Sequence, residues 1–313
     1  MISVILSLFN EKKIWIEQEI ESILNQTYSD FEFIIVIDNP DLSNDIKEYL
    51  LTTAANDKRI KIIYNEKNIG LAKSLNKGID ISIGKYIARM DADDISLPDR
   101  LEKELLFMEK TNSDLVSAYK INIDENGNYL FKDCIMNRNI NKTLKYTNII
   151  VHPLVLVKSE VIKKMGGYRE LVNSEDLDLW LRMVEQGYKI SILNEYLLKY
   201  RLRSNSASIE RQLEQYYISK YINKLSKERK KMNGDDSFSV KNMNIYLDHK
   251  NFSERKKKKF YLSNIEIKKS LDYFMSNKYL KFSVHIIKAF IFSPSYTIEK
   301  IFNQISIKRM GNL

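Results

Sequence analysis

The sequence predicts an α/β protein with a mostly parallel, Rossmann-like central sheet and flanking helices, followed by a mainly helical C-terminal region. Through residues 2–90, short apolar runs alternate with segments whose apolar residues recur at helical spacing, and Asn, Asp or Gly separates them. Such alternation is typical of a doubly wound sheet. After residue 200 the chain becomes strongly basic, which indicates a separate region.

Four runs have the length and composition of buried strands, and the segments between them have helical periodicity. The predicted strands are ISVILSL (2–8), FEFIIVID (31–38), RIKIIY (59–64) and KYIARM (85–90). The predicted helices are IWIEQEIESILNQ (14–26), LSNDIKEYLLTTA (42–54) and NIGLAKSLNKGIDIS (68–82). Because a helical crossover joins each strand to the next, we expect the strands to run parallel.

Acidic residues follow two of these strands. Asp38 comes after the second strand, and Asp91, Asp93 and Asp94 come after the fourth. In such sheets ligands bind outside the carboxyl ends of the strands, and carboxylate oxygens in pairs suit Mg²⁺ or Mn²⁺. One interpretation is a divalent cation site that bridges to a substrate diphosphate. The other is a solvated turn ahead of a helix that Pro98 could begin.

A second acidic feature precedes an amphipathic helix. Apolar residues at helical spacing predict the helix, and they are Leu177, Trp180, Leu181 and Val184. Asp178 and Arg182 are four residues apart, and we expect them to pair on the exposed side. Glu175 and Asp176 stand at the helix start, where they would complement the helix dipole in a box-like cap with Asn173. Alternatively, one of them is a general base at the mouth of a pocket.

Composition limits the class of protein. No window has the roughly 18 uninterrupted apolar residues of a membrane span, and the apolar run at residues 2–8 is too short for a signal peptide, so we expect residence in the cytoplasm. One cysteine, Cys134, and three histidines do not favour a zinc site. No P-loop or Gly-X-Gly-X-X-Gly motif follows the first strand, which disfavours an ATPase or a dinucleotide enzyme.

Charge is distributed unevenly along the chain. The net charge is +9, and residues 201–313 carry 24 Lys plus Arg against 10 Asp plus Glu, a net of +14 that leaves −5 for residues 1–200. A basic region of this kind usually meets an anionic membrane surface or nucleic acid. No aromatic motif of an RNA-binding type lies within it, so we do not expect a nucleic-acid partner.

Six segments in order resemble the family 2 glycosyltransferases of GT-A fold, of the type that builds bacterial surface polysaccharides. The segments are SVILSLFNE, SILNQTYSDFEFIIVIDN, NIGLAKSLNKGI, GKYIARMDADDISLPDRLEK, HPLVLVKSEVIKKMGGYRE and SEDLDLWLRM. The resemblance covers residues 1–205, which we interpret as a catalytic GT-A domain, and leaves residues 206–313 as a basic, mainly helical C-terminal region.

The resemblance implies a reaction and a set of residues. Asp91 and Asp93 would hold Mn²⁺ or Mg²⁺ against the diphosphate of a nucleotide-sugar donor, with UDP as the expected nucleotide. Asp38 would contact the nucleotide base. Asp176 would be the catalytic base, which deprotonates a hydroxyl of a saccharide acceptor for a single displacement that inverts the anomeric carbon.

Four further residues are weaker candidates. Lys73 and Arg89 could touch the donor phosphates or base, or could equally be surface ion-pair partners. His152 matches a position near the acceptor, or is a packed or capping histidine, and we place it with Glu175 on the acceptor side. Arg203 replaces a late His that serves many relatives as a metal ligand. Because a guanidinium cannot ligate a metal, we assign Arg203 to the substrate, where it could pair with the diphosphate.

The basic C-terminal region has two interpretations. The segment YLKFSVHIIKAFIFSP (279–294) has the dense apolar residues and interspersed Lys of an interfacial helix. Relatives that act on polyprenyl-diphosphate-linked acceptors work at the inner face of the cytoplasmic membrane, so we expect peripheral attachment through residues 253–313. The alternative is a helical subdomain that packs on the catalytic body.

Two other functions compete with an active transferase. A nucleotidyltransferase would share the α/β sheet and the acidic metal site, but SLFNEKKIW lacks the Gly-rich, basic loop that such enzymes usually carry. A degenerate module that only binds a nucleotide sugar, or docks on an assembly, is disfavoured because Asp91, Asp93 and Asp176 are all present.

Overall fold

The strands that the sequence predicts form one half of the sheet. The computed structural model describes residues 1–133, 139–203 and 211–311. Its first four strands are β1 (Ile2–Leu8), β2 (Phe31–Ile37), β3 (Ile60–Tyr64) and β4 (Tyr86–Asp91). They lie in the order β3-β2-β1-β4 and run parallel, with Val4 opposite Phe33 on one side and Ala88 on the other. The predicted parallel arrangement is confirmed.

Three helices make the crossovers between these strands: α1 (Lys13–Leu24), α2 (Asn44–Asn56) and α3 (Leu71–Ile81). The face of α1 that carries Ile16, Ile20 and Ile23 is fully buried in a core shared with β1 and β2. Gly78 lets α3 approach β1 closely, because a Cβ there would lie 2.6 Å from Cγ2 of Ile5.

The other half of the sheet mixes strand directions. Its strands are β5 (Ile95–Ser96), β6 (Leu115–Ile123), β7 (Tyr129–Asp133), β8 (Leu156–Lys158) and β9 (Ile190–Arg201). β8 pairs antiparallel with both β4 and β6, whereas β6 and β9 are parallel. β5 pairs antiparallel with the end of β9, which brings Lys199 opposite Ile95. The end of β9 therefore lies beside the turn that follows β4.

Helices complete the two parts of the chain. In chain order they are α4 (Arg100–Thr111), α5 (Ile140–Thr143), a 3₁₀ turn (His152–Leu154), α6 (Ser159–Lys164) and α7 (Glu175–Glu185). The helices of the C-terminal region are α8 (Gln212–Lys231), α9 (Val240–Asp248), α10 (Glu254–Met275), α11 (Tyr279–Phe292) and α12 (Pro294–Gly311). The expected C-terminal helices are thus present.

The chain divides into two compact units. Among the described residues, the first contains 1–133, 149–171 and 175–203, and the second contains 139–148, 172–174 and 211–311. The second unit has its own apolar cluster, formed by Leu213, Phe260, Ile267, Ala289 and Tyr296. The predicted boundary between residues 205 and 206 lies outside the described residues, as does Cys134.

The pairing of Asp178 with Arg182 is confirmed, but its predicted position on an exposed face is wrong. Arg182 Nε donates to Asp178 Oδ2 at 2.8 Å, and both side chains are buried. Arg182 also donates to the carbonyl oxygens of Met165 and Gly167 at 2.6 and 2.8 Å. These acceptors belong to the turn that follows α6, which the helical period of α7 could not reveal. A buried pair needs such further partners to offset its desolvation.

Candidate active site

Three carboxylates converge where β4 ends. One oxygen of each of Asp91, Asp93 and Asp94 lies within 4.8 Å of the others, and Asp93 and Asp94 are buried. Burial and the charge of Asp91 raise the pKa of Asp93 to about 7, and burial and Asp93 raise the pKa of Asp94 well above its usual range. Asp94 Oδ2 is buried without a hydrogen-bond partner. Crowded oxygen ligands with an unsatisfied atom suit a divalent cation, which would favour the ionised carboxylates.

Arg201, at the end of β9, holds this turn in place. Its backbone N–H donates to Asp94 Oδ1 at 2.8 Å, and its Nε donates to the carbonyl oxygen of Asp93 at 2.8 Å. Its Nη2 donates to Gln18 Oε1 of α1 at 2.8 Å, and its Nη1 reaches the carbonyl oxygen of Glu125 at 3.1 Å. One buried guanidinium therefore ties three elements to the acidic turn. No sequence pattern had singled out Arg201, since its partners are 76 to 183 residues away along the chain.

Arg203 lies at the same turn. Its Nε is 2.8 Å from Asp93 Oδ2, and its side chain is part-exposed. The sequence assigned Arg203 to the substrate, whereas the structure pairs it with a residue of the carboxylate cluster. The guanidinium is thus a positive charge inside the acidic site.

Arg89 is a buried cation next to the acidic turn. It forms an ion pair with Asp91 across the end of β4 and is 4% exposed, so it is not a surface residue. Its Nε and Nη1 atoms are buried without a hydrogen-bond partner. Leaving a buried charged donor unpaired is costly, and no hydrogen bond in the described structure offsets the desolvation of these two nitrogens.

Glu175 and Asp176 form a second acidic pair at the start of α7. Glu175 is buried and Asp176 is part-exposed. Burial and the adjacent Asp176 raise the pKa of Glu175 to about 7. Asn173 has a φ of 59°, which is not the extended conformation of an N-cap residue, so the capping-box interpretation is not supported.

Tyr168 is a buried residue within electrostatic range of both acidic groups. Its hydroxyl is 3.0 Å from His152 Nε2, and the two rings are 5.2 Å apart between centroids. Burial raises the pKa of Tyr168, and the nearby charge of Arg89 opposes this rise. Three carboxylates raise the pKa further, and they are Asp176, Glu175 and Asp91. Burial and Arg89 lower the pKa of His152 well below its usual range. Tyr168 was missed by the sequence prediction, although it lies in the quoted segment GGYRE.

Asp38 and Lys73 lie elsewhere around the first four strands. Asp38 follows β2 as predicted, and its carboxylate accepts from Asn65 Nδ2 and from the backbone N–H groups of Ile69 and Gly70, each at 2.8 Å. It therefore shapes the loop before α3. Lys73 forms a 2.8 Å ion pair with Glu170, and both side chains are about half exposed. A surface ion pair, one of the two interpretations of Lys73, is thus present, and its contact with the donor stays a prediction.

Two glutamates near the N terminus were not predicted. Glu11 accepts from the backbone N–H groups of Phe9 and Asn10 at 2.9 and 3.1 Å, and Arg203 and Asp91 lie within electrostatic range of its carboxyl. Glu19 is fully buried in α1, and neither of its carboxylate oxygens has a partner. Burial raises the pKa of Glu19 well above its usual range, and the nearby charges of Asp91 and Asp93 raise it further.

A sequence model described as Glycosyl transferase family 2 matches residues 3–166, which include the acidic turn, Arg89 and His152. This chain belongs to glycosyl transferase family 2. It is 40% identical over 235 residues to an uncharacterized glycosyltransferase of Methanocaldococcus jannaschii, covering 74% of this chain and 81% of that protein. It is also 40% identical over 210 residues to the O-antigen biosynthesis glycosyltransferase WbnJ of Escherichia coli, covering 66% of this chain and 81% of that protein.

A solved structure shows the fold of this family 2 glycosyltransferase. Residues 1–349 of S. aureus TarS, crystallised in complex with UDP, superpose with a TM-score of 0.59 at 15% identity, covering 93% of this chain and 90% of that chain. The predicted GT-A fold, with its mostly parallel sheet, flanking helices and C-terminal helices, is confirmed. The family match assigns no role to an individual residue, so the roles expected of Asp38, Asp91, Asp93, Asp176 and Arg203 all stay predictions.

Proposed function

We propose that this glycosyltransferase moves a sugar from a nucleotide-sugar donor, UDP-linked, onto a hydroxyl of a saccharide acceptor, with inversion. The observation that carries the proposal is the approach of two acidic groups to one buried region. Asp91 and the pair Glu175–Asp176 all act electrostatically on Tyr168, which also feels the Arg89 charge. The acidic turn with Asp91 could hold a cation, and the pair Glu175–Asp176 could accept a proton. The proposed displacement needs both functions.

Asp176 is the proposed base. It is part-exposed at the start of α7, whereas Glu175 is buried, so Asp176 is the member of the pair that an acceptor hydroxyl can reach. In the proposed step Asp176 takes the proton of the acceptor hydroxyl, the oxygen forms a bond to the anomeric carbon, and the bond to the diphosphate oxygen breaks. His152, Glu175 and Tyr168 would shape the acceptor side. Attack opposite the leaving group inverts the anomeric centre.

The leaving diphosphate carries away negative charge, and the proposed donor side is built to receive it. Asp91, Asp93 and Asp94 would hold Mn²⁺ or Mg²⁺, which when bound would neutralise charge on the diphosphate. The unpartnered N–H groups of Arg89 would donate to an oxygen of the same group. Asp38 orders the loop before α3, through which it would position the nucleotide base.

A donor hydrolysis screen tests the proposal without knowledge of the acceptor. Purified protein is incubated with UDP-, GDP-, CDP- and dTDP-linked sugars with Mn²⁺ or Mg²⁺, and the released nucleotide is measured. We expect slow hydrolysis of one UDP-sugar, because water can replace the acceptor hydroxyl at the base. Hydrolysis of a different nucleotide class would correct the donor, and hydrolysis of none would contradict the reaction.

The raised pKa of Glu175 predicts a pH-dependent effect on stability. The folded protein binds the proton of the Glu175 carboxyl more tightly than the unfolded chain does. Protonation of Glu175 therefore stabilises the fold fully below the unfolded pKa of about 4.5, and this stabilisation is lost as pH rises through about 7. Glu175→Gln removes the buried charge, so we expect it to stabilise the protein at pH 8 by on the order of 1–3 kcal/mol and to be near neutral at pH 5. Urea unfolding of both proteins at pH 8 and pH 5 measures the change in stability. Equal changes at the two pH values would contradict the prediction.

We also propose that the acceptor is a lipid-linked saccharide of cell-surface polysaccharide synthesis, used at the inner face of the cytoplasmic membrane. The name of the E. coli relative, an O-antigen biosynthesis enzyme, supports the pathway class. In the part of the chain that the structure describes, no helix is both long and apolar enough to cross a membrane. Attachment would therefore be peripheral.

The surface of α11 supports this location. Leu280, Ile287 and Ile291 are 83, 59 and 69% exposed and lie at helical spacing along one side. The helix contains Lys281 and Lys288, both exposed, and no acidic residue. An exposed apolar stripe flanked by Lys is the pattern of a helix that lies in the interface of an anionic bilayer.

Vesicle co-sedimentation tests the attachment. We expect the protein to sediment with vesicles that contain anionic lipid at low salt, and less so at high salt because the Lys contribution is screened. Replacing Leu280, Ile287 and Ile291 by Ser should release it. The matched control is Ile83→Ser, since Ile83 is 70% exposed in the first unit. If the wild-type protein stayed in the supernatant, membrane attachment would be refuted.

A further inference from the structure

Arg203 occupies a carboxylate that the proposed cation would use. Its Nε lies 2.8 Å from Asp93 Oδ2, and its side chain is 29% exposed while that of Asp93 is 10% exposed. Arg201, two residues earlier, differs in kind, since it is buried and its N–H groups are engaged by protein oxygens. Arg203 is thus the part-exposed arginine at this turn, and its buried Nε approaches Asp93 without forming a hydrogen bond.

The acidic surroundings of Arg203 explain why its guanidinium lies at this turn. Asp91, Asp93 and Asp94 crowd together, and Glu11 is a fourth carboxyl within electrostatic range of the guanidinium. The ring of Trp15 lies 5.8 Å from the guanidinium carbon, within the range of a cation–π contact. Arg89 and Arg201 also offset the repulsion among these carboxylates, but both are buried, so Arg203 is the part-exposed arginine among these counter-ions.

A divalent cation held by Asp93 would compete with this ion pair for the same carboxylate. A carboxylate that held a metal ion would bond it directly, so Asp93 would release the guanidinium, since two positive charges within a few ångströms repel. The displaced guanidinium would still need an anion. Arginine pairs well with phosphate oxygens, and the proposed donor brings a diphosphate to this turn.

We propose that Arg203 is an exchangeable counter-ion, which a divalent cation displaces from Asp93 and which then pairs with the diphosphate of the donor. This inference rests on the proposed function. Arg203 opposes the cation when no nucleotide is present and favours the nucleotide once the cation is bound. Cation and nucleotide therefore bind cooperatively. The cation releases Arg203 for the nucleotide, and the diphosphate gives the released guanidinium an anionic partner.

The test is a binding experiment that needs no turnover. Mn²⁺ binding is titrated in the absence of nucleotide, and UDP binding is titrated at saturating Mn²⁺, for wild type, Arg203→Gln and Arg203→Lys. For Arg203→Gln we expect Mn²⁺ alone to bind about 3- to 10-fold more tightly and UDP to bind about 10-fold more weakly. Arg203→Lys keeps the charge, so its Mn²⁺ affinity should stay near that of wild type while its UDP affinity falls part of the way.

A matched control is Arg59→Gln, which removes a 2.6 Å Arg–Asp ion pair with Asp57 and should change neither affinity. Opposite changes in the two affinities support the proposal, and a role in folding alone would weaken both. Unchanged or weaker Mn²⁺ binding by Arg203→Gln would overturn it, and so would tighter binding of both ligands. If wild type bound no Mn²⁺ even with saturating UDP, the proposed metal site itself would fail, and this inference with it.

Discussion

Replacing Asp176 by Asn should abolish sugar transfer while donor binding survives. An amide cannot accept the hydroxyl proton, and the loss of a general base typically lowers the rate about 10²- to 10⁴-fold. Because Asn has nearly the same shape and Asp176 is part-exposed, we expect little change in folding. The measurements are kcat for donor hydrolysis, or for transfer once an acceptor is known, and the Kd of UDP at saturating Mn²⁺. The UDP affinity should stay within about 3-fold of wild type, since the base contacts the acceptor rather than the nucleotide.

The matched control makes the same chemical change at an exposed site. Asp248→Asn alters an exposed carboxylate at the end of α9 and should leave kcat unchanged. Full activity of Asp176→Asn would remove Asp176 from the mechanism. If wild type bound nucleotide sugars tightly but neither hydrolysed nor transferred them, the competing interpretation as a degenerate binding module would take its place.

Removing the proposed cation should have an effect of similar size. Charge stabilisation by a bound metal contributes several kcal/mol to displacement at a phosphate leaving group, so excess EDTA should lower donor hydrolysis by about 10²-fold or more, and added Mn²⁺ should restore it. Asp91→Asn should reproduce the loss without recovery, because it removes one of the clustered carboxylates. Nucleotide release with and without chelator, across a Mn²⁺ titration, provides the measurement.

Asp91 has a structural role that the experiment must separate. It is the ion-pair partner of buried Arg89, so Asp91→Asn also leaves that cation less compensated. Asp93→Asn is the complementary variant, because Asp93 pairs with part-exposed Arg203 instead. Both variants should lose Mn²⁺ dependence, whereas only Asp91→Asn should lower the urea midpoint appreciably. Hydrolysis by wild type that persists unchanged in excess chelator would refute metal dependence.

Local pattern was sufficient for the regular elements of the first half of the chain. The predicted runs for β1 and β2 agree with the observed strands to within one residue, and α7 begins at Glu175 as its apolar period indicated. Each of these helices buries one face and each of these strands is almost fully buried. Their apolar pattern can therefore be read from neighbouring residues along the chain. β8 could not be predicted as an antiparallel strand between β4 and β6, because a strand of three residues has no readable period and its direction depends on distant partners.

The candidate site likewise contains residues that the sequence pointed to and residues that it did not. Asp91 and Asp93 were proposed as metal ligands because they follow a recognisable strand, and Asp176 was proposed as the base because of the family resemblance. Tyr168 and Arg201 were missed, since nothing in their neighbouring residues shows that they reach the acidic groups. The buried position of the Asp178–Arg182 pair was also missed, because its remaining acceptors lie on another turn.

The sequence by itself determined that this chain has a parallel α/β sheet with acidic residues at strand ends, and that it resembles family 2 glycosyltransferases. Only the tertiary structure decided that Arg203 faces Asp93, that Arg89 is buried with free N–H groups, and that Lys73 pairs at the surface. The reason is physical. Period and motif depend on neighbours along the chain, whereas the partner of a long charged side chain depends on which elements packing brings within a few ångströms.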